Sequence, residues 1–142
     1  MKKFTLLLTF AFNISGLAFA QDITGKWVTI DDNSGKKRSV VEITKKGDTY
    51  FGSIIEMYLE PHEDPNAVCD LCTDDRKNKK IMGLQIIRDM KRDGKEYNSG
   101  EILDPENGKV YRCKLWVENS KLMVRGYIAI FYRTQEWLRF EE

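Results

Sequence analysis

The chain has 142 residues, of which 23 are Lys or Arg and 22 are Asp or Glu, so its charge is nearly balanced. This balance argues against a nucleic-acid-binding protein, which would normally carry a basic surplus or a basic stripe. We therefore expect a soluble domain that does not bind nucleic acid, and the length is sufficient for one hydrophobic core.

The first twenty residues have the pattern of a secretory signal peptide. Two lysines precede an apolar run over residues 4–17, and Ala-Phe-Ala at 18–20 fits the rule for cleavage before Gln21. The apolar run is shorter than the roughly 20 residues that a membrane-spanning helix needs. We predict an exported protein, periplasmic or secreted, with no membrane span and with residues 21–142 forming one domain.

After residue 20 the sequence consists of short strand-like runs separated by turns, with no convincing amphipathic helix. The clearest hairpin signal is the turn at residues 104–108, Asp-Pro-Glu-Asn-Gly. Proline presets φ early in this turn, and Asn-Gly supplies the positive φ that a tight reversal needs. The predicted strands cover residues 24–31, 39–44, 49–58, 82–90, 96–103, 109–118, 121–131 and 133–140.

Eight consecutive strands joined mostly by short turns predict an all-β fold. Such hairpins usually close into an antiparallel up-and-down barrel, because closure removes exposed strand edges. An eight-stranded barrel has an interior for side chains or for one small ligand. The run 121–131 is apolar on both faces, so another element or a partner should cover its outer face.

A long irregular segment at 59–80 contains Cys69-x-x-Cys72 and the single histidine, His62. In an oxidising compartment two nearby cysteines usually form a disulfide. A thioredoxin-like redox centre would need the pair at the start of a helix, which this context lacks. A metal site formed with His62 and Asp74 or Asp75 is the third interpretation, although the second half of a zinc motif is absent. We predict the disulfide, with no metal and no cofactor.

Five groups of residues follow one another in a characteristic order along the chain. They are Gly25-x-Trp27, Cys69-x-x-Cys72 with Gly83-Leu84, Gly100 to Pro105 with Asn107-Gly108-Lys109-x-Tyr111, Val124-Arg125-Gly126-Tyr127, and Arg133-Thr134-Gln135-x-Trp137. Their order and spacing resemble the bacterial family catalogued as domain of unknown function 2147, over roughly residues 23–140. That family consists of small exported proteins without an established activity. The resemblance therefore implies location and domain extent more than function.

Gly25-x-Trp27 also resembles the start of lipocalin and fatty-acid-binding barrels. In those barrels the tryptophan packs beneath an arginine of the last strand, and the resemblance implies Arg139 as that arginine. We therefore predict a lipocalin-like barrel in which a cation–π contact between Trp27 and Arg139 closes one end. Truncation of Trp27 should then lower stability rather than ligand binding.

Arg125 and Tyr127 are two residues apart on a predicted strand, so they share one face. They resemble the Arg-x-Tyr pair by which fatty-acid-binding barrels hold a carboxylate. If this face lines the interior, both side chains, together with Tyr111, would bind an anionic head group. The alternative places both outside, with Arg125 paired to a carboxylate. On the preceding strand, Trp116 lies on the opposite face from Tyr111 and should be exposed, whereas Cys113 should be buried.

These features favour a barrel that binds a small amphipathic or anionic molecule. The first rival is an envelope protein with a filled barrel whose outer apolar face contacts a protein partner. The second is an enzyme that uses the interior or the loop around His62, but the chain has no nucleophile elbow, metalloprotease motif or phosphate-binding glycine loop. We expect His62 to be a surface residue and the protein not to be an enzyme.

Overall fold

In the computed structural model, which describes residues 21–142, eight strands follow one another in chain order and each pairs antiparallel with the next. The last strand pairs with the first through Trp27↔Arg139 and Val28↔Leu138, which closes the barrel. The strands are β1 (Gly25–Ile30), β2 (Lys37–Lys46), β3 (Thr49–Met57), β4 (Gln85–Asp93), β5 (Glu96–Asp104), β6 (Lys109–Glu118), β7 (Lys121–Ile128) and β8 (Phe131–Arg139).

The prediction of an eight-stranded antiparallel up-and-down barrel is confirmed. Within residues 21–142 no helix is long and apolar enough to cross a membrane. The predicted signal peptide, residues 1–20, lies outside the described residues.

The two ends of the barrel differ in how they are filled. The end that carries the β2–β3, β4–β5 and β6–β7 turns, here called the closed end, is filled by buried side chains. Inward-facing side chains there alternate with outward-facing ones along each strand, and the inward ones exclude water. The largest of them, each at most 1% exposed, are Trp27, Ile43, Tyr50, Tyr97, Leu115 and Leu122.

Turn chemistry explains most strand boundaries. At the closed end, Gly47 and Gly94 take φ values of 61° and 65°, and Asn119 and Ser120 take 49° and 63°. Glycine and asparagine are the residue types that tolerate the left-handed region best. The β7–β8 turn breaks this pattern, because Ala129 occupies it with φ 52°. The predicted boundary between the last two strands was therefore wrong: β7 ends at Ile128 and β8 begins at Phe131.

The long segment between β3 and β4 folds against the outside of the barrel. Its two cysteines form the predicted disulfide, and both are buried. This bond consumes the thiolates that the alternative metal site required. Arg76, 1% exposed, fixes the segment to the barrel by donating to Glu101 Oε1 of β5 at 3.2 Å and to the Gln85 carbonyl at 3.1 Å. The segment is irregular but firmly attached.

Candidate ligand-binding cavity

The end of the barrel opposite the closed end contains a cavity of 340 Å³. It lies above the dense core and opens between the β1–β2 and β5–β6 turns, both of which contribute residues to its rim. Its apolar lining comes from several strands on all sides of the barrel. These residues are Ile54, Ile86, Ile102, Leu103, Val124 and Trp137.

A small number of polar side chains interrupt the apolar wall. Thr29 and Ser39, on adjacent strands, share a hydrogen bond of 2.8 Å between their hydroxyls. Gln135 accepts from Trp137 Nε1 at 3.1 Å and donates to Asp32 Oδ2 at 2.8 Å. The Tyr111 hydroxyl accepts from Asn107 Nδ2 at 3.0 Å, so its own hydrogen remains available for donation. The wall therefore offers neutral hydrogen-bonding groups above an apolar floor.

The charged groups at the rim are largely paired with one another. Arg38 contacts Glu63 at 2.8 Å and Glu106 at 3.2 Å, and Arg133 forms an ion pair with Asp32. The hydrogen bond from Arg38 lowers the pKa of the Glu63 carboxyl to about 2. Because the cavity's two arginines already face carboxylates, the rim does not present an unpaired cation to an anionic ligand.

The structure corrects the predicted orientation of Arg125 and Tyr127. Val124 and Gly126 line the cavity, so their neighbours Arg125 and Tyr127 lie on the outer face of β7. Leu122, 0% exposed, belongs to the interior core and sets this alternation. Tyr111, by contrast, does line the cavity. Only one of the three predicted ligand-binding residues therefore lies where the prediction required.

Arg125 has aromatic partners instead of the carboxylate that the alternative interpretation expected. Its guanidinium carbon lies 4.3 Å from the Tyr132 ring centroid and 4.9 Å from that of Trp116, and its Nε donates to Thr134 Oγ1 at 2.7 Å. Trp116, predicted to be exposed, is half-buried in this stack. The outer face of the last three strands is thus an aromatic and cationic surface.

Sequence reasoning missed several cavity residues. Thr29 and Ser39 meet only through the register of β1 with β2, which no local pattern reveals. Gly126 and Gln135 lie inside the sequence motifs at 124–127 and 133–137, which marked both positions as candidates. The motifs do not show, however, whether each residue faces the cavity. A glycine in a strand interior can mark a site that needs space, and Gly126 does lie against the cavity.

At the closed end, the Arg139 guanidinium lies 4.0 Å from the Trp27 ring centroid. Trp27 is fully buried, and its Nε1 donates to the Ile23 carbonyl at 2.8 Å. Gly25, at φ 115°, brings the chain into β1 beneath Arg139 Nη1, which would lie 3.4 Å from a Cβ at that position. This contact is outside the cavity. Its contribution to stability stays a prediction.

The remaining reactive side chains do not converge on the cavity. His62 is exposed in the long segment, and Cys113 is a buried free thiol whose pKa burial raises to about 12. Among residues 21–142, no three His, Cys, Asp or Glu side chains are grouped so that they could hold a metal ion.

A comparison of the sequence with models of protein families identifies the family of this chain. A family model described as an uncharacterized protein conserved in bacteria, DUF2147, matches residues 25–139. The chain belongs to the DUF2147 family. The match covers β1 to β8, so the family's shared unit in this DUF2147 protein is the barrel, including the disulfide-bonded segment.

The fold is also similar to that of a solved structure. The barrel of this DUF2147 protein aligns with HP1028 from Helicobacter pylori, described as belonging to the lipocalin family, with a TM-score of 0.71 and 16% identity. The alignment covers 85% of this chain and 84% of that one. At this identity the likeness shows a lipocalin-like fold and nothing about the ligand. No curated protein sequence matches the chain.

Proposed function

We propose that this DUF2147 protein is an exported binding protein that holds one small amphipathic molecule inside its barrel. The observation that supports the proposal is the combination of a 340 Å³ cavity, an apolar floor and a polar rim at one end of a filled barrel. Sites for small molecules are typically concave, mostly apolar and equipped with a few oriented polar groups.

The size and polarity of the cavity narrow the class of ligand. Its volume lies near the lower end of the roughly 300–1,000 Å³ found for small-molecule sites. A short apolar moiety would contact Ile54, Ile102 and Val124, while a polar head would reach Tyr111 and Gln135. Because Arg38 and Arg133 are already paired, a neutral or cationic head group fits better than a carboxylate.

Two neighbouring residues on opposite faces of β7 provide the test. In Gly126→Leu the new side chain should occupy the cavity, since a Cβ at this position would lie 3.4 Å from Tyr111 Cβ and 3.9 Å from Ile102 Cγ2. In Arg125→Ala only the outer face changes. We expect the neutral fluorophore phenylnaphthylamine to bind the unmodified protein and Arg125→Ala equally. It should bind Gly126→Leu at least about tenfold more weakly, because a tenfold loss of affinity corresponds to the loss of about one buried aliphatic contact.

Native mass spectrometry of the protein purified from its own cells provides a second readout. A non-covalent mass that is present in Arg125→Ala and absent in Gly126→Leu would identify the cavity as its site. Equal binding of the fluorophore by both variants, with thermal unfolding showing that both are folded, would contradict the proposal. In that case the rival interpretation of a protein-interaction module would become the better one.

A further inference from the structure

The hairpin between β7 and β8 exposes an unusual amount of apolar surface. The hairpin tip is defined here as residues 128–132, Ile-Ala-Ile-Phe-Tyr. The exposed fractions of its large side chains are 53% for Ile128, 85% for Ile130, 74% for Phe131 and 60% for Tyr132. Exposed apolar residues that occur singly need no explanation, but a contiguous group of them marks an interaction site.

The backbone of the hairpin tip adds to this signal. Other hairpin turns of the barrel use Gly, Asn or Ser at positive φ, as at Gly47, Gly94 and Asn119. The tip instead places Ala129 at φ 52°, where a Cβ is unfavourable, and follows it with the most exposed large apolar side chain, Ile130. The folded protein would be more stable with polar residues in this turn, so the stability of the fold does not explain the apolar residues found there.

The outer face beside the hairpin tip is cationic. Arg112 donates from Nη2 to the Ala129 carbonyl at 3.3 Å and lies 6.0 Å from the Tyr127 ring centroid. Arg125 lies against Trp116 and Tyr132. Neither arginine forms an ion pair with any residue in the described part of the chain, whereas Arg38, Arg76, Arg88 and Arg133 all do.

Carboxylates on the outer face of β6, β7 and β8 lie toward the opposite end of the barrel, and Glu101 of β5, which lies opposite Arg112 in the register, is paired with Arg76. Glu118 ends β6 at the closed end and accepts from Trp116 Nε1, and Glu136 pairs with Lys121 at 2.7 Å. The positive charges of Arg112 and Arg125 are therefore concentrated in the half of the face that borders the hairpin tip. An apolar tip bordered by tryptophan and by arginines that form no ion pair within residues 21–142 matches the interface of an anionic lipid bilayer.

We propose that the hairpin tip inserts into the surface of a bilayer that contains anionic lipids, with Arg112 and Arg125 contacting lipid phosphates. The inference goes beyond the proposed function, because it requires no ligand in the cavity. Ile130 and Phe131 enter the apolar layer, while Tyr132 and Trp116 lie at head-group depth. Arg133 and Gln135, which follow the tip on β8, line the cavity, so the cavity opening lies next to the inserted tip.

The size of the hairpin tip favours a bilayer over a protein partner. A stable protein interface buries roughly 800 Å² on each side, and four side chains projecting from one turn offer less than that. A bilayer imposes no such requirement, since a few inserted apolar groups and a few basic residues near the surface are enough for reversible binding.

The proposal is tested by sedimentation of the purified protein with lipid vesicles. One set contains equal parts of phosphatidylglycerol and phosphatidylcholine, and the other contains phosphatidylcholine alone. We expect the double variant Ile130→Ser with Phe131→Ser to bind the anionic vesicles at least about tenfold more weakly. Each of Arg112→Ala and Arg125→Ala should weaken that binding about fivefold. The control is Ile55→Ser on β3, opposite β7 in the barrel and 41% exposed, which should bind like the unmodified protein.

Three results would overturn the proposal. The first is that the unmodified protein does not sediment with either vesicle type. The second is that the double variant, shown to be folded by thermal unfolding, binds as well as the unmodified protein. The third is a lipid-free dimer in analytical ultracentrifugation that dissociates in the double variant, since the hairpin tip would then be an interface between copies of this chain.

Discussion

At the scale of single residues, strand alternation decides which side chains have access to the cavity. Arg125 and Gly126 are adjacent, yet Gly126 lies against the cavity and Arg125 stacks on Tyr132 outside. On β6, Tyr111, Cys113 and Leu115 face inward for the same reason, and their burial increases from the rim to the closed end. A side chain can therefore act in the cavity only if its position in the strand alternation directs it inward.

The buried thiol of Cys113 gives a direct test of this alternation. Burial raises its pKa to about 12, so almost no thiolate exists at pH 8, and the side chain is 4% exposed. We expect no labelling by iodoacetamide in the folded protein and one labelled cysteine per chain after unfolding without reductant. Rapid labelling of the folded protein would mean that β6 is rotated or frayed. Two further labelled cysteines in unreduced samples would contradict the Cys69–Cys72 disulfide.

At the scale of elements, the contact between β4 and β5 contains a paired irregularity. The register runs from Arg88↔Glu101 to Lys91↔Asn98, and the residues between include Asp89 and Ser99 at φ values of 60° and 65°. The register of β4 with β5 does not shift here, but β4 has an extra residue opposite β3 and β5 has one opposite β6, and each such bulge bends its strand and increases its twist. The backbones of β4 and β5 lie so close here that a Cβ on Gly100 would overlap the Arg88 carbonyl.

Gly100→Ala should therefore destabilise the barrel, by about 1–3 kcal/mol for an overpacked site that has to shift its backbone. Gly126→Ala is the matched control, because it too is a strand glycine but its Cβ would make only ordinary contacts, the nearest at 3.4 Å. Urea unfolding of both variants measures the difference. Equal stability of the two variants would show that β4 and β5 can move apart at Gly100 without a measurable loss of stability.

At the scale of the whole molecule, two of the ion pairs that attach the segment between β3 and β4 to the barrel join arginines of the strands to carboxylates of the segment. Arg38 of β2 contacts Glu63 at 2.8 Å, and Arg88 of β4 contacts Asp75 at 2.7 Å. The hydrogen bonds from these arginines lower the pKa of both carboxyls to about 2. Asp75 is 59% exposed and screened by solvent, so Glu63, 23% exposed, should contribute the larger part of the stabilisation.

These pairs predict a loss of stability in acid. The folded pKa values, about 2, lie below the ordinary values of 4.5 for Glu63 and 3.8 for Asp75, so the unfolded chain takes up protons first as the pH falls. The stabilisation is complete above those ordinary values and disappears as the pH falls to about 2. We expect the calorimetric Tm to change little between pH 7 and 5, in the plateau above both values, and to fall below that.

Glu63→Gln separates this effect from general acid denaturation. The variant should have a lower Tm at neutral pH and a shallower decline in acid than the unmodified protein. Glu56→Gln on β3, a carboxylate that forms no ion pair within residues 21–142, is the control and should leave the profile unchanged. A Glu63→Gln profile parallel to that of the unmodified protein would show that the Arg38–Glu63 pair contributes nothing measurable.

The sequence by itself determined the strands, their antiparallel succession and the disulfide, because alternation, turn residues and neighbouring cysteines are local patterns. Closure into a barrel also followed, since eight short antiparallel strands leave few other ways to pair the edges of the sheet. Only the tertiary structure decided which face of β7 lines the interior, where the Ala129 turn falls, and that Thr29 meets Ser39. These outcomes depend on the register and closure of distant strands, and a shift of one residue moves every side chain of a strand to the other face.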